Sequence, residues 1–248
     1  AQITSGTPPT DLLASILDSA TAPHTGPAGA DRGRVANTPV TDHLERSNAI
    51  IASAADARDM RRRLGAAALD LDDATDESGQ QQWRATVAAR LPNQDWPPQP
   101  LLVVAVDAFS GEPVVFDRES GVDLADAVAA SCANGFGVAP YTIGDSRYID
   151  GGYRRNENAD LAAGYARVLV LSPFGGRSRH PREWGMQLES QVEELRVGGS
   201  SVETIFPDAD SRDAFGDNMM NPSARPPAAR AGYAQGRALA DQLSDFWR

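Results

Sequence analysis

At Leu101 the sequence changes character, and that boundary limits the folds open to it. Pro92, Pro97, Pro98 and Pro100 stand just before it. Proline ends helical structure by removing a donor and clashing with the preceding turn. Leu101-Leu102-Val103-Val104-Ala105-Val106 follows, a short continuous apolar run of the kind that forms a buried strand. The residues before the prolines read as helices. Asp11 to Ala20 sets Leu12, Leu13, Ile16 and Leu17 at helical spacing. Pro23 to Gly33 is rich in Gly, Pro and Ala and reads as a loop. Thr41 is placed to cap a helix running through Leu44, Ala49 and Ile50. Two more helices are predicted over Asp56 to Leu69 and Gln80 to Leu91.

Beyond Leu101 strands and helices alternate. A turn at Ser110-Gly111 leads into a second strand, Pro113 to Phe116. Asp123 to Ala133 is predicted as a helix with Leu124, Ala127 and Val128 on one face. Gly135, Gly137 and Pro140 mark a loop, and Arg147 to Ile149 a short strand. Then come a strand at Val168 to Leu171, a helix from Arg182 to Val197, a strand from Ser201 to Phe206 and a final helix from Ala228 to Trp247. That alternation predicts an α/β protein with a parallel sheet covered on both faces.

Charge and cysteine content remove several functions. The net charge of the 248 residues is −11 and no Lys is present. A Walker-type phosphate loop lacks its lysine. An acidic surface argues against nucleic acid. Arg61, Arg62 and Arg63 read as a solvated helix face. With one cysteine, Cys132, no disulfide can form within the chain, which fits a reducing, cytoplasmic setting. Abundant Ala, Arg and Asp without Lys suggests a GC-rich bacterial genome. No apolar run reaches the roughly 18 residues of a membrane span. His24, His43, His180 and Cys132 lack metal-ligand spacing, so no metal is expected. Ser131 and Cys132 end an Ala-rich helix and read as packing residues. Gly175-Gly176-Arg177 reads as a flexible loop, and Gly135-Phe136-Gly137 fails as a dinucleotide fingerprint because it follows a helix and meets Pro140. Trp83 and Trp96 read as ordinary core or surface aromatics before a lipid-facing cap.

The segment with chemical content is Tyr148-Ile149-Asp150-Gly151-Gly152, followed by Asn158-Ala159-Asp160. A carboxylate at a strand end sits where α/β proteins place their sites. Two following glycines let the backbone turn sharply against a neighbour. Such an aspartate takes a proton from a hydroxyl within reach. Asp150 alone would pass for a turn residue. Its company is more specific: Asp107-Ala108-Phe109-Ser110-Gly111-Glu112-Pro113-Val114 and Ala129-Ala130-Ser131-Cys132-Ala133 precede it.

In that order and spacing these segments resemble the patatin-like phospholipase family, from about Leu101 to Asp210. The resemblance implies a three-layer α/β/α fold over residues 1–248 as a single domain, with 1–100 mostly helical and 101–248 forming the β/α portion. It also implies a Ser–Asp dyad without histidine, metal or organic cofactor, acting on a lipid or other acyl ester. Asp150 would be the catalytic base, Gly151 and Gly152 its supporting turn, and Asn158 a residue positioning the loop or capping the next turn.

The family's serine lies in a Gly-x-Ser-x-Gly elbow preceded by a glycine-rich oxyanion loop. No Gly-x-Ser-x-Gly occurs in this sequence, and Ala1 to Gly6 resembles the end of the helix after the elbow. The expectation is that about forty family residues, an N-terminal strand and the elbow, lie ahead of Ala1. A chain without them would expose a sheet edge, and would be unstable, pair with the missing segment or form a homodimer. Residues 134–137 depart from the Pro-Gly pair frequent in the family. The intact protein is expected to be a lipid acyl hydrolase, cytoplasmic and peripheral at membranes. The alternative is a non-catalytic lipid- or partner-binding module on a hydrolase-like fold.

Overall fold

A computed structural model describes residues 2–21, 40–72, 77–135, 137–216 and 222–248. The described helices are α1 (Pro9–Thr21), α2 (Val40–Ser53), α3 (Ala57–Asp72), α4 (Glu77–Ala88), α5 (Leu124–Ser131), α6 (Leu188–Val197), α7 (Ala209–Phe215), α8 (Arg225–Ala238) and α9 (Ala240–Trp247). The strands are β1 (Val103–Asp107), β2 (Pro113–Phe116), β3 (Tyr141–Ile143), β4 (Ser146–Asp150), β5 (Arg167–Leu171) and β6 (Ser201–Ile205). Two compact units result. One draws on Ala1–Gly6, Gly26–Asn158 and Arg179–Met186, the other on Thr7–Thr25, Ala159–Ser178 and Gln187–Arg248. The loop expected over Pro23 to Gly33, with His24, falls outside the described residues, as does Phe136.

The first unit holds a four-stranded sheet in the order β2-β1-β4-β3. Every pairing in it is antiparallel. This corrects the expectation of one parallel sheet. Five residues join β1 to β2 and two join β3 to β4. Links this short permit only antiparallel neighbours. The sheet is nevertheless covered on both faces, so Val103 to Val106 are all buried. Val103 and Ala105 pack with Leu124, Ala127, Ala129 and Ala130 of α5 and Val87 of α4. Val106 and Ile149 pack on Met60, Leu64 and Ala68 of α3 and Ile51 of α2. Helix, sheet and helix thus form three layers within this unit. Fully burying a side chain such as Leu64 contributes roughly 1.5–3 kcal/mol.

Small residues set the spacing of these layers. Ala-rich α5 lies close on β1, and Gly65 of α3 lies closer still: a Cβ there would stand 2.0 Å from the carbonyl oxygen of Ala108. Trp83 and Trp96 belong to the core, with Nε1 donating to the carbonyls of Ala129 at 3.0 Å and Val122 at 2.7 Å. Arg84 of α4 joins Asp126 and Asp123 near the start of α5. Tyr141 donates its hydroxyl to the same Asp126. Gln80 of α4 bonds Thr142 of β3 twice: its Nε2 donates to the carbonyl at 3.1 Å and its Oε1 accepts the N–H at 3.0 Å.

In the second unit β5 and β6 run parallel. Val168, Val170 and Val202 pack on Leu188, Val192 and Leu195 of α6. Helix α8 packs against α1 and α7.

Several boundaries differ from the sequence reading. The helix expected over Arg182 to Val197 is a 3-10 turn, Arg182–Trp184, followed by α6. Gly185, at φ 60°, separates them. Met186 enters the core of the first unit and Leu188 that of the second. Strand β3 lies where a loop was expected. Helix α2 begins at Val40, which puts Thr41 in its first turn. The last helix is interrupted at Leu239.

Candidate active site

Strand β4 ends at Asp150, opposite Ala105 of β1. Its backbone N–H donates to the carbonyl of Ala133 at 2.8 Å, which fixes the strand end to the residues following α5. The chain then turns through a 3-10 segment, Gly151–Tyr153. A Cβ on Gly151 would lie 2.1 Å from the carbonyl oxygen of Val104, so no side chain fits at this approach. Gly152 donates its N–H to Asp150 Oδ1 at 2.8 Å. Among the described residues no donor reaches the other carboxylate oxygen. Burial pushes the carboxyl above the ordinary aspartate value, and the Gly152 N–H opposes that rise. A charged carboxylate that loses water without gaining full hydrogen-bonding is a stronger base.

Asn158 closes the turn. Its Nδ2 donates to the carbonyl of Gly151 at 3.1 Å, and its Oδ1 accepts from Arg154 Nη1 at 2.8 Å. It has φ 52°, which makes it the one non-glycine residue with positive φ among those described. Asn tolerates this region because its short side chain bonds locally. Of the residues singled out from sequence, Asp150, Gly151, Gly152 and Asn158 therefore meet in one turn.

Two neighbours were not recognised from sequence. Cys132 was read as a packing residue, yet the residue as a whole is exposed. Its surroundings still push the thiol up to about 11, first by desolvation and then through the Asp150 charge. Tyr153 donates its hydroxyl to the carbonyl of Asn134 at 2.7 Å. Burial raises its phenol first, and the Asp150 charge second. Nothing in the sequence pairs Tyr153 with Asn134. The contact is made by the turn.

The competing features fall elsewhere. The N–H groups of Gly175 and Gly176 donate to the carbonyl and Oγ of Ser172 at 3.1 and 2.9 Å, so this loop does not present them to an oxyanion. His180 lies beside Trp184 with ring centroids 6.3 Å apart. Desolvation first, then Arg179, pushes it down to about 4, which leaves it neutral at pH 7. Among the described residues no cluster of three or more His, Cys, Asp or Glu could hold a metal, and no helix is long and apolar enough to cross a membrane.

Fold and turn together define an α/β protein with a strand-end carboxylate, backed by two glycines and open at one oxygen. The sequence matches the family of patatin-like phospholipases over residues 4–163, more than half of the chain, and the protein belongs to that family. The match takes in the helical N-terminal region and stops short of β5, whereas the motifs read from sequence ran on to Asp210. No curated protein matches the chain. The family is one of lipid acyl hydrolases.

Proposed function

We propose that the intact protein hydrolyses acyl esters of lipids through an acyl-enzyme, with Asp150 as the base. One observation carries this reading: Asp150 is held by its backbone and one oxygen, is raised in basicity by burial, and has its second oxygen open. The serine hydroxyl gives its proton to Asp150 as its oxygen attacks the ester carbonyl. Asp150 returns that proton to the departing alcohol. A water molecule then gives its proton to Asp150 and attacks the acyl carbon, and the serine leaves with the proton. These steps use neither a metal nor an organic cofactor. Gly151 and Gly152 permit the turn, and Asn158 holds it. Both compact units are read as parts of one patatin-like domain.

The second reading is a lipid- or partner-binding module without turnover; residues 1–248 themselves hold no Gly-x-Ser-x-Gly. Fluorophosphonate labelling of the intact protein, with the labelled peptide located by mass spectrometry, separates the two. A labelled elbow serine, with esterase activity that falls in Asp150→Asn, supports the hydrolase. Absence of label together with retained lipid binding overturns it in favour of the module.

A further inference from the structure

We propose that Tyr153 is a positioning residue for Asp150, its hydroxyl tying the Asp150 turn to the loop beside the carboxylate. This rests on Asp150 being the base. The turn and the loop are joined at two successive carbonyls: Asp150 N–H donates to Ala133 and Tyr153 Oη–H to Asn134. One bond lies at the start of the turn and the other at its end. The loop is itself braced. Asn134 Oδ1 accepts the N–H of Gly137 at 2.7 Å and of Val138 at 3.0 Å, and Gly135 N–H donates to the carbonyl of Val138 at 2.8 Å. Asn134 is therefore tied directly to Gly137 and Val138. Asp150 lies between the two anchors, bonded to Ala133 through its own N–H and three residues before Tyr153.

The hydroxyl has a defined direction. The phenol stays protonated at working pH, because burial and the neighbouring carboxylate both oppose its ionisation. It is thus a permanent donor to a backbone acceptor. Without it the Asn134 carbonyl loses its tie to the turn, and water gains a path towards Asp150. Asp150 would then relax towards ordinary aspartate basicity, because desolvation is what raises it.

The test is a set of pH profiles on the intact protein with a soluble acyl ester. Tyr153→Phe should lower kcat about tenfold with KM within about twofold, the expected size for a misplaced catalytic group. Its acid limb in kcat/KM should move to lower pH. Tyr141→Phe also removes a phenol hydrogen bond, the one to Asp126, and should leave the acid limb in place. If Tyr153→Phe keeps the parental kcat and acid limb while Asp150→Asn is inactive, the base stands and the positioning role falls. An active Asp150→Asn overturns both. Should Tyr153→Phe fail to fold, a fluorinated tyrosine at 153 keeps the ring and hydroxyl but ionises at lower pH. A new basic limb in kcat is then expected, and its absence overturns the proposal.

Discussion

Strand β1 meets a glycine near each end, and the two ends differ in what surrounds the glycine. Near Asp107, Gly65 of α3 comes so close to Ala108 that a Cβ would stand 2.0 Å from its oxygen. Near Ala105, Gly151 comes equally close to Val104, at 2.1 Å. The backbone demand is the same. The aspartates beside these contacts are not alike. Asp107 Oδ1 accepts from Phe109 N at 3.1 Å, Ser110 N at 2.8 Å and Ser110 Oγ at 2.7 Å. Asp150 accepts one N–H, from Gly152. A carboxylate with three local donors on one oxygen holds a turn in shape. A desolvated carboxylate with an open oxygen is held back from the water that would satisfy it, and is free to take a proton from something else.

The largest effect should come from the glycines. Gly151→Ala and Gly65→Ala each force a methyl group into backbone, and each should destabilise by more than about 4 kcal/mol or prevent folding. Urea denaturation checks this, and a near-parental midpoint for either would break the equivalence of the two ends. Next is Asp150→Asn in the intact protein, for which esterase turnover should fall about a hundred- to ten-thousand-fold. Asp107→Asn should leave turnover near parental, and equal losses in the two variants would erase the distinction. Third, Asp107→Ala removes an acceptor of three hydrogen bonds and should cost about 1–2 kcal/mol in a thermal melt with little change in activity.

The smallest effect is a matter of pH. The Asp150 carboxyl is raised in the folded protein, so its charged form weakens the fold. That cost is absent below the ordinary aspartate value of 3.8 and is complete above the raised folded value. Asp150→Asn is neutral throughout and keeps an acceptor for Gly152. It should melt above the parent at neutral pH and level with it in acid. A variant that melts below the parent at pH 7 would mean that Asp150 stabilises the fold as Asp107 does.

Much of this was legible in the sequence. The run Leu101 to Val106 marked β1 because both faces of the strand are covered, which suppresses the polar alternation usual in antiparallel sheets. The alternation of strands and helices beyond Leu101 suggested a parallel sheet, and among the described strands β5 and β6 alone are parallel. Strand β3 was hidden because it has three residues between Pro140 and Gly144. The turn was readable in part: Asp-Gly-Gly needs a close approach, and Gly151 makes one. Tyr153 was not readable, since its partner is a backbone carbonyl 19 residues earlier in the chain. Cys132 was misread because an Ala-rich helix end suggests burial, while the residue as a whole is exposed and only its thiol is desolvated.

The paired bonds from Gln80 to Thr142 have a further consequence. A side-chain amide has one donor and one acceptor on a flat frame, as a peptide group does. Gln80 thus takes the place that a residue of another molecule's strand would need along β3. At the opposite border of the sheet, Pro113 of β2 has no N–H to lend. The β3 border is therefore a poor template for recruiting a foreign strand. A crowded cell full of nascent chains would find little along β3 to zip onto.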